Sequence, residues 1–400
     1  MTIRSLSRIK QWAGKRVLLR LDLNVPLSGG RITDDLRLRE SQETIEYLVS
    51  RGARVVIISH LGEPTAGFDA AFSLRPVAQR LRRLLKRPVK FLAGEISADA
   101  FKKADRLKNG DILLLDNLRF SSAEYQNDVR WARWLAALGE VYVNDAFSAS
   151  HRRQASLSAI KKYLPAYAGC HLEKEVRALE KVRRPQKPFV LVLGGVKLST
   201  KAPLIAKFYS AAEKILIGGA LANYFFKQQK LEIGRSHYEN PDDPYAQKDL
   251  AVHFRKLTSR KGWQKKIILP ADVVALGKNE RLRVALPSDI HKDETILDIG
   301  PATIAIFARD IKRARTIAWN GPMGQFEDRR FRTGTVAVGG LIAARSSGIA
   351  YGVVGGGETV AGLELTKMSA YVDWISTAGG ALLSYIGGAK MPGLVGIIKD

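Results

Sequence analysis

In FVLVLGGVKLSTK (189–201) an apolar run, a pair of glycines and two lysines follow one another. Phe189–Leu193 is too short for a buried helix and carries no polar face, so it reads as a parallel strand covered on both sides. Gly194 and Gly195 end it, and glycine at a strand end lets the backbone approach a ligand closely. Lys197 and Lys201 come next. A helix start with free N–H groups and basic side chains suits phosphate. The arrangement recurs nearby. Lys214–Ile217 runs into Gly218-Gly219-Ala220, and Ile349–Val354 runs into Gly355-Gly356-Gly357-Glu358-Thr359. A fourth cluster, Ser376-Thr377-Ala378-Gly379-Gly380, lies near the C-terminus. Four such clusters in one half of the chain point to a nucleotide site. None has the Walker A spacing, and no dinucleotide-type Gly-x-Gly-x-x-Gly follows a strand.

Outward from that segment the same alternation continues. Arg16–Leu21, Ala53–Ser59, Asp111–Leu115, Glu140–Val143, Lys266–Ile268 and Thr316–Ala318 read as further buried strands. Leu36–Ser50, Leu74–Leu85, Val129–Leu138, Leu204–Ala211 and Thr303–Ile311 have helical length and pattern. Strand–helix alternation over the whole chain predicts an open, doubly wound α/β architecture, with ligands at the carboxyl ends of the strands. The 400 residues exceed one small domain, and at roughly 100–200 residues each two domains are expected. Cys170 to Arg184 is a charged helix with Leu172, Val176, Leu179 and Val182 on one face, followed by Pro185 and Pro188. It reads as an interdomain helix, with the boundary near 165–188.

The first half has strand ends of another kind, polar and basic instead of glycine-rich. They are RLDLN (20–24), SHLG (59–62), NLRF (117–120) and NDAFSASHRR (144–153), with Arg37 and Arg39 after Asp34-Asp35. Guanidinium groups bind phosphate and carboxylate bidentately, so converging arginines suit a small phosphorylated acid.

Composition narrows the classes. Apolar residues are 46% and charged residues 26% of the chain, which excludes global disorder and collagen-like structure. The single cysteine, Cys170, excludes a disulfide framework and a cysteine-based zinc site, and a reducing cytoplasm is expected. No apolar run reaches the roughly 18 residues of a membrane span. Met1 to Arg20 lacks the apolar core of a signal peptide. Sixty-four Lys+Arg against 39 Asp+Glu leave a net charge of +25, which suits polyanionic partners. The dense basic stretches LRRLLKR (81–87) and Arg183-Arg184 have no interleaved aromatics and no groove-reading motif. They read as solvated faces, and no nucleic-acid role is expected.

The collinear segments RLDLNVPL (20–27), SHLG (59–62), LLLDNLRF (113–120), VYVNDAFSASHR (141–152), LGGVKLSTK (193–201), LDIGPAT (297–303), WNGPMGQFE (319–327), VGGGET (354–359) and ISTAGGA (375–381) closely resemble phosphoglycerate kinases. The resemblance runs from about Gly14 to Gly393. It implies two Rossmann-like three-layer lobes with parallel sheets, joined by a helix and separated by a cleft. Residues 1–169 would be the 3-phosphoglycerate lobe, 170–187 the hinge helix and 188–385 the nucleotide lobe. Residues 386–400 would return to the first lobe. It implies reversible phosphoryl transfer between 1,3-bisphosphoglycerate and ADP, giving 3-phosphoglycerate and ATP with Mg2+, by a cytoplasmic monomer.

Carried over position by position, the resemblance puts Asp22, Asn24, Arg37, His60, Leu61, Gly62, Glu63, Arg119 and Arg152 around the acid. Arg37, Lys197, Gly356 and Gly379 would steady the transferring phosphoryl group. Lys197 and Lys201 would hold phosphates. Gly194, Gly195, Gly218 and Gly219 would wall the adenosine pocket, lined also by Asn320 and Pro322, with Glu327 on the ribose. Gly356, Gly357, Glu358 and Thr359 would meet the terminal phosphates, with Glu358 on the metal.

Several positions depart from the family pattern. The family's His-Leu-Gly-Arg-Pro is here His60-Leu61-Gly62-Glu63-Pro64, a charge reversal. At about 4 Å and an effective dielectric near 20 a unit pair is worth roughly 4 kcal/mol, so Glu63 must turn away or be compensated by arginine. His-Arg-Ala-His becomes His151-Arg152-Arg153-Gln154. Thr200 and Glu358 stand at family aspartates, and Ala220 and Ala378 at glycines. A positive φ at Ala378 would cost roughly 1 kcal/mol or more. Segments 237–266 and 277–294 match poorly and read as loops and surface helices. Glu63 and Gln154 motivate a second reading, a paralogue with lost or altered acid specificity that serves as a regulatory or nucleotide-binding protein.

Overall fold

The computed structural model describes residues 1–65, 67–239, 259 and 261–399. It divides into two compact units, Met1–Arg177 with Lys390–Asp400, and Ala178–Ala389.

The first unit is built on a six-stranded parallel sheet. Its strands are β1 (Arg16–Arg20), β2 (Arg54–Ile58), β3 (Lys90–Leu92), β4 (Ile112–Leu115), β5 (Val141–Asn144) and β6 (Ala166–Ala168), in the spatial order β3-β4-β2-β1-β5-β6. The central strands are buried on both faces. Val17, Leu19, Val55, Ile57, Ile112 and Leu114 pack with Leu38, Ile45 and Leu48 of the helix Leu36–Ser50 and with Val77 and Leu81 of the helix Arg75–Leu85. Leu18, Val56, Leu113 and Tyr142, on the opposite face, are also fully buried. Each such aliphatic side chain contributes about 1.5–3 kcal/mol of burial free energy. The register sets Arg20 beside Ile58 and Asn144, so the carboxyl ends of the central strands finish level and their loops emerge together. The chain ends meet within this unit, where Thr2–Ile3 pairs antiparallel with Ile398–Lys399.

The second unit repeats the plan. Its strands are β7 (Phe189–Leu193), β8 (Lys214–Ile217), β9 (Ile267–Ile268), β10 (Val273–Leu276), β11 (Leu282–Ala285), β12 (Thr295–Ile299), β13 (Thr316–Asn320), β14 (Tyr351–Gly355) and β15 (Trp374–Ser376). Six form a parallel sheet in the order β9-β8-β7-β13-β14-β15, and three form an antiparallel sheet in the order β11-β10-β12. Leu193 stands opposite Ile217 and Asn320, and Gly355 opposite Ser376, so the glycine clusters gather along one edge. The helix Cys170–Arg183 crosses from one unit to the other. Its Leu172 N–H donates to Asp145 at 2.8 Å within the first unit. Leu179 and Val182 are buried and line one apolar cavity with Leu191 and Leu193 within the second.

The parallel α/β reading holds, and the structure adds the antiparallel strands β10, β11 and β12, which the sequence reading does not contain. The edge strands β3, β6 and β15 escape the sequence reading because they are only three residues long, too short for an apolar run to stand out. Segment 277–294, read as loops and surface helices, contains β11. The sequence Leu-Arg-Val-Ala alternates weakly, and its outward Leu282 and Val284 stay exposed. Most of 237–266 lies outside the described residues, although Trp263–Lys265 forms a 3-10 turn. The helix expected at Leu204–Ala211 is instead Leu198–Phe208, with Pro203 inside it. Proline removes one backbone bond there, and the helix starts where the lysines are.

A buried carboxylate ties the first sheet to its loops. Asp116 follows β4. Its Oδ1 accepts from the N–H groups of Leu74 (2.7 Å) and Asn117 (3.0 Å), and its Oδ2 from Ser73 Oγ (2.9 Å) and Gly94 N–H (3.0 Å). Asp116→Ala would strand these donors in a dry site, where each unmet group costs about 1–3 kcal/mol. Urea unfolding is expected to show a loss of at least about 3 kcal/mol.

Candidate active site

The strand-end loops of the first unit bring the expected acid-binding residues into one cluster. Asp22 Oδ2 accepts from Arg37 Nη1 at 2.8 Å and from Ser148 Oγ, while its Oδ1 accepts from Asn24 N–H at 3.0 Å. Arg37 also donates to the Asn24 carbonyl at 3.1 Å, and Asn24 Oδ1 accepts the Gly62 N–H at 2.8 Å. Burial opposes ionisation of Asp22, yet the Arg37 charge and the hydrogen bonds from Ser148 and Asn24 hold its pKa below the usual carboxylate range. Gly62 has φ +59°, and a Cβ there would sit 2.3 Å from the Phe72 ring, so glycine is required. Arg119 Nη1 donates to the Gly62 carbonyl at 2.6 Å.

Glu63 does not turn away. Its Oε1 lies 2.8 Å from Nη1 of both Arg119 and Arg152, and its Oε2 accepts from Tyr125 OH at 3.2 Å. Leu61 departs from expectation. Its side chain lies in the hydrophobic core and its carbonyl accepts from Asn117 Nδ2 at 2.7 Å, so it shapes the loop without facing the site. Arg153 is exposed and Gln154 is buried.

Sequence reasoning missed the support beneath this cluster. Arg20, fully buried, donates from Nε to Ser156 Oγ at 3.0 Å, and that hydroxyl donates to buried Glu124 at 2.6 Å. Arg20 Nη2 lies 3.2 Å from His60 Nδ1. A guanidinium only donates, so Nδ1 accepts and the ring proton sits on Nε2. Burial, then the Arg20 charge, hold the His60 pKa well below the usual histidine value. An arginine inside a strand run gave the only hint.

In the second unit the glycine clusters surround a cavity of about 580 Å3 lined by Lys197, Thr200, Lys201, Asn320, Gly356, Gly357, Glu358, Thr359 and Gly379. Three helices begin at its wall, Leu198–Phe208, Gly357–Glu364 and Gly380–Ile386. Lys201 is buried and donates from Nζ to Asn320 Oδ1, while Asn320 Nδ2 donates to the Gly355 carbonyl at 2.5 Å. Burial lowers the Lys201 pKa to about 8 against the opposing pull of Glu358. Thr359 Oγ1 accepts the Gly321 N–H at 2.7 Å. An adjoining, more apolar cavity of about 240 Å3 shares Gly195, Val196 and Glu358 with the first and adds Gly219, Pro322 and Glu327. Its far wall is Val273, Ile296, Leu297 and Asp298 from the antiparallel sheet, which the sequence reading did not assign to the site.

Two expected pocket walls are corrected. Gly194 and Gly218 lie under the loop 321–323 and line neither cavity, because a Cβ on Gly194 would stand 2.1 Å from the Pro322 carbonyl, and one on Gly218 2.6 Å from Met323 Sδ.

The family model described as phosphoglycerate kinase matches residues 7–389. The chain belongs to the phosphoglycerate kinase family. It is 40% identical over 390 residues to the phosphoglycerate kinase of Thermomicrobium roseum, covering 96% of this chain and 97% of that protein. It is 39% identical over 404 residues to that of Coprothermobacter proteolyticus, with both chains fully covered. Among solved structures, phosphoglycerate kinase from Coxiella burnetii superposes with a TM-score of 0.87 at 35% identity, covering 99% of each chain. That from Pyrococcus horikoshii gives 0.82 at 29% identity, covering 98% of each.

The departures from the phosphoglycerate kinase pattern have local accounts. Ala378 is not among the positive-φ residues, and the left-handed turn falls on Gly379 at φ +51°. Ala220 opens a helix whose cap, Gly219, takes φ +61°. Thr200 donates from Oγ1 to the Lys197 carbonyl at 3.1 Å. Glu358 is exposed in the first turn of its helix and borders both cavities.

His60 is expected to stay neutral, with its proton on Nε2, as pH falls below 6.5. Nitrogen-15 imidazole shifts measured from pH 8 to 5.5 check this, and a titration near the ordinary value would overturn the tautomer assignment. Because the folded pKa is depressed, the buried neutral ring contributes stability above pH 6.5, which is lost progressively as pH falls below it.

Proposed function

We propose that this chain catalyses reversible phosphoryl transfer between 1,3-bisphosphoglycerate and Mg-ADP, giving 3-phosphoglycerate and ATP. The observation that carries the reading is the pairing, within one family-length chain, of a strand-end arginine cluster with a strand-end cavity of glycines and lysines. The acid sits among Asp22, Asn24, Arg37, His60, Arg119 and Arg152. The nucleotide base and ribose occupy the smaller cavity beside Gly219, Pro322 and Glu327, and the phosphates reach Lys197, Lys201 and Gly356-Gly357. Residues 1–169 serve as the acid lobe and 188–389 as the nucleotide lobe, joined by 170–187, and the return to the first lobe begins at Lys390, not at the expected 386; the enzyme works as a cytoplasmic monomer.

The residue chemistry fits this transfer. In the direction that consumes ATP the nucleophile is a carboxylate, ionised at pH 7, so no general base is required. Catalysis then rests on positioning and charge. Arg37 and Lys197 follow the moving phosphoryl group, and the N–H groups beyond Gly356 and Gly379 face its oxygens. Exclusion of water from the reacting groups suppresses hydrolysis of ATP. Among the described residues no cluster of three or more acidic, histidine or cysteine side chains is placed to hold a metal. Glu358 alone fits Mg2+, which commonly takes one or two carboxylates with waters and phosphate oxygens. When bound, the ion neutralises charge on the nucleotide phosphates.

A coupled assay for ADP formation from ATP and 3-phosphoglycerate tests the reading, and sustained turnover is expected. The hold of Glu63 on two site arginines favours one rival, a paralogue with altered acid specificity. Mg-ATP binding without turnover would establish it. Lys201 supplies a second test. Its folded pKa near 8 lies below the ordinary lysine value, so the free site loses positive charge as pH rises past 8. Mg-ADP affinity is expected to fall above pH 8, with proton uptake on binding seen as buffer-dependent heat in calorimetry. Lys201→Arg, which stays charged, is expected to lose that pH dependence.

A further inference from the structure

We propose that Glu63 is an internal counter-anion of the acid site, holding Arg119 and Arg152 until a phosphorylated acid displaces it, and that it thereby sets the affinity of the site for anions. The inference rests on reading the first-unit cluster as the acid site. Three observations carry it. One carboxylate oxygen lies 2.8 Å from both guanidinium groups, so a single group occupies the seat that two arginines offer to an incoming anion. The two sides of the contact differ in freedom. The Glu63 side chain is 61% exposed, whereas that of Arg119 is 1% exposed, with its guanidinium over the Tyr125 ring and its Nη1 tied to the Gly62 carbonyl. Finally, Arg119 is under-satisfied. Its Nε and Nη2 are buried without a hydrogen-bond partner, so the guanidinium depends on the groups at Nη1, where the carboxylate sits.

The exchange follows from charge. Arg119 is a buried cation that requires an anion nearby, and Glu63 supplies it when no ligand is bound. Arg152, 40% exposed, completes the clamp. An incoming dianion offers more charge and more acceptor oxygens than one carboxylate, so it replaces Glu63 at both guanidiniums, and the freed side chain returns to water. The ligand gains only the difference between the two contacts. Removing the Glu63 charge therefore strengthens anion binding although it weakens the empty protein.

Sulfate serves as a probe that requires no turnover. In anion-depleted buffer Glu63→Gln is expected to melt below the wild type, and sulfate to raise its melting temperature more, with chloride of equal ionic strength as the control. Half-saturating sulfate is expected to fall about five- to tenfold, and the KM for 3-phosphoglycerate to fall by a similar factor. Tyr125→Phe removes the hydroxyl that steadies Oε2 but keeps the charge, and should move sulfate affinity the same way by a smaller factor. Equal or weaker sulfate binding by Glu63→Gln would overturn the proposal and make Glu63 a scaffold for the arginines. If sulfate affinity rises while neither protein turns over 3-phosphoglycerate, the counter-anion stands and the substrate assignment falls.

Discussion

The glycine-lined cavity of the second unit depends on backbone packed directly against backbone at the ends of β7, β8 and β13. Gly194 N–H donates to the Asn320 carbonyl at 3.0 Å, Gly195 N–H to that of Pro322 at 2.8 Å and Gly219 N–H to that of Met323 at 2.9 Å. These contacts leave no room for side chains. A Cβ on Gly321 would stand 2.2 Å from the Gly194 carbonyl oxygen, and one on Gly219 2.7 Å from Gly195 N. Glycine here serves the protein before it serves any ligand. The crossed loops hold Asn320, and Asn320 accepts from Lys201, so the position of a cavity-lining lysine is set by a packing constraint one strand away. The same crossing seats Pro322 and Met323 at the wall of the smaller cavity.

The first unit meets a different constraint, that of keeping guanidinium charge away from water. Arg20 and Arg119 are both buried, and arginine remains charged where lysine would neutralise. Each therefore has carboxylate near it. Arg20 reaches Glu124 through Ser156, Arg37 meets Asp22, and Arg119 meets Glu63. The +25 net charge of the chain says little about this region, where acidic side chains lie against the arginines and Glu63 serves two of them. Arg20 also fixes the His60 ring, so one buried side chain determines which nitrogen of another carries the proton.

How much of this was legible in the sequence follows from what each feature requires. Central strands such as Phe189–Leu193 and Arg54–Ile58 announce themselves because burial on both faces demands an unbroken apolar run. The antiparallel strand Leu282–Ala285 does not, since two of its side chains face outward and no run results. The site residues were found as types at strand ends, and glycine, lysine and arginine there carry a direct chemical meaning. Their mutual contacts were hidden, because nothing in SHLGE (59–63) shows that Glu63 reaches across to Arg119 and Arg152. A sequence cannot separate glycine approached by a ligand from glycine approached by a loop, and Gly194 and Gly218 are of the second kind. Asp298, at the pocket wall, accepts from Gly334 and Ile299 N–H groups, an arrangement that becomes visible only once the helix Thr333–Ser346 is placed.

The two candidate sites thus reach anion affinity by opposite routes. In the second unit, backbone N–H groups and lysines surround an open cavity, and Lys201 has a neutral partner in Asn320. Burial weakens its charge in the empty state, and a bound phosphate restores it, so binding there is an addition that draws in a proton. In the first unit the guanidiniums keep their charge and already hold carboxylates, so binding at Arg119 and Arg152 is an exchange of one anion for another. An exchange yields less free energy than an addition but favours ligands that bring more charge than the group they replace. A phosphorylated carboxylic acid meets that condition where a simple carboxylate does not. The glutamate that reverses the family's charge at this position can then act as a threshold for ligand charge, with the surrounding arginines left intact.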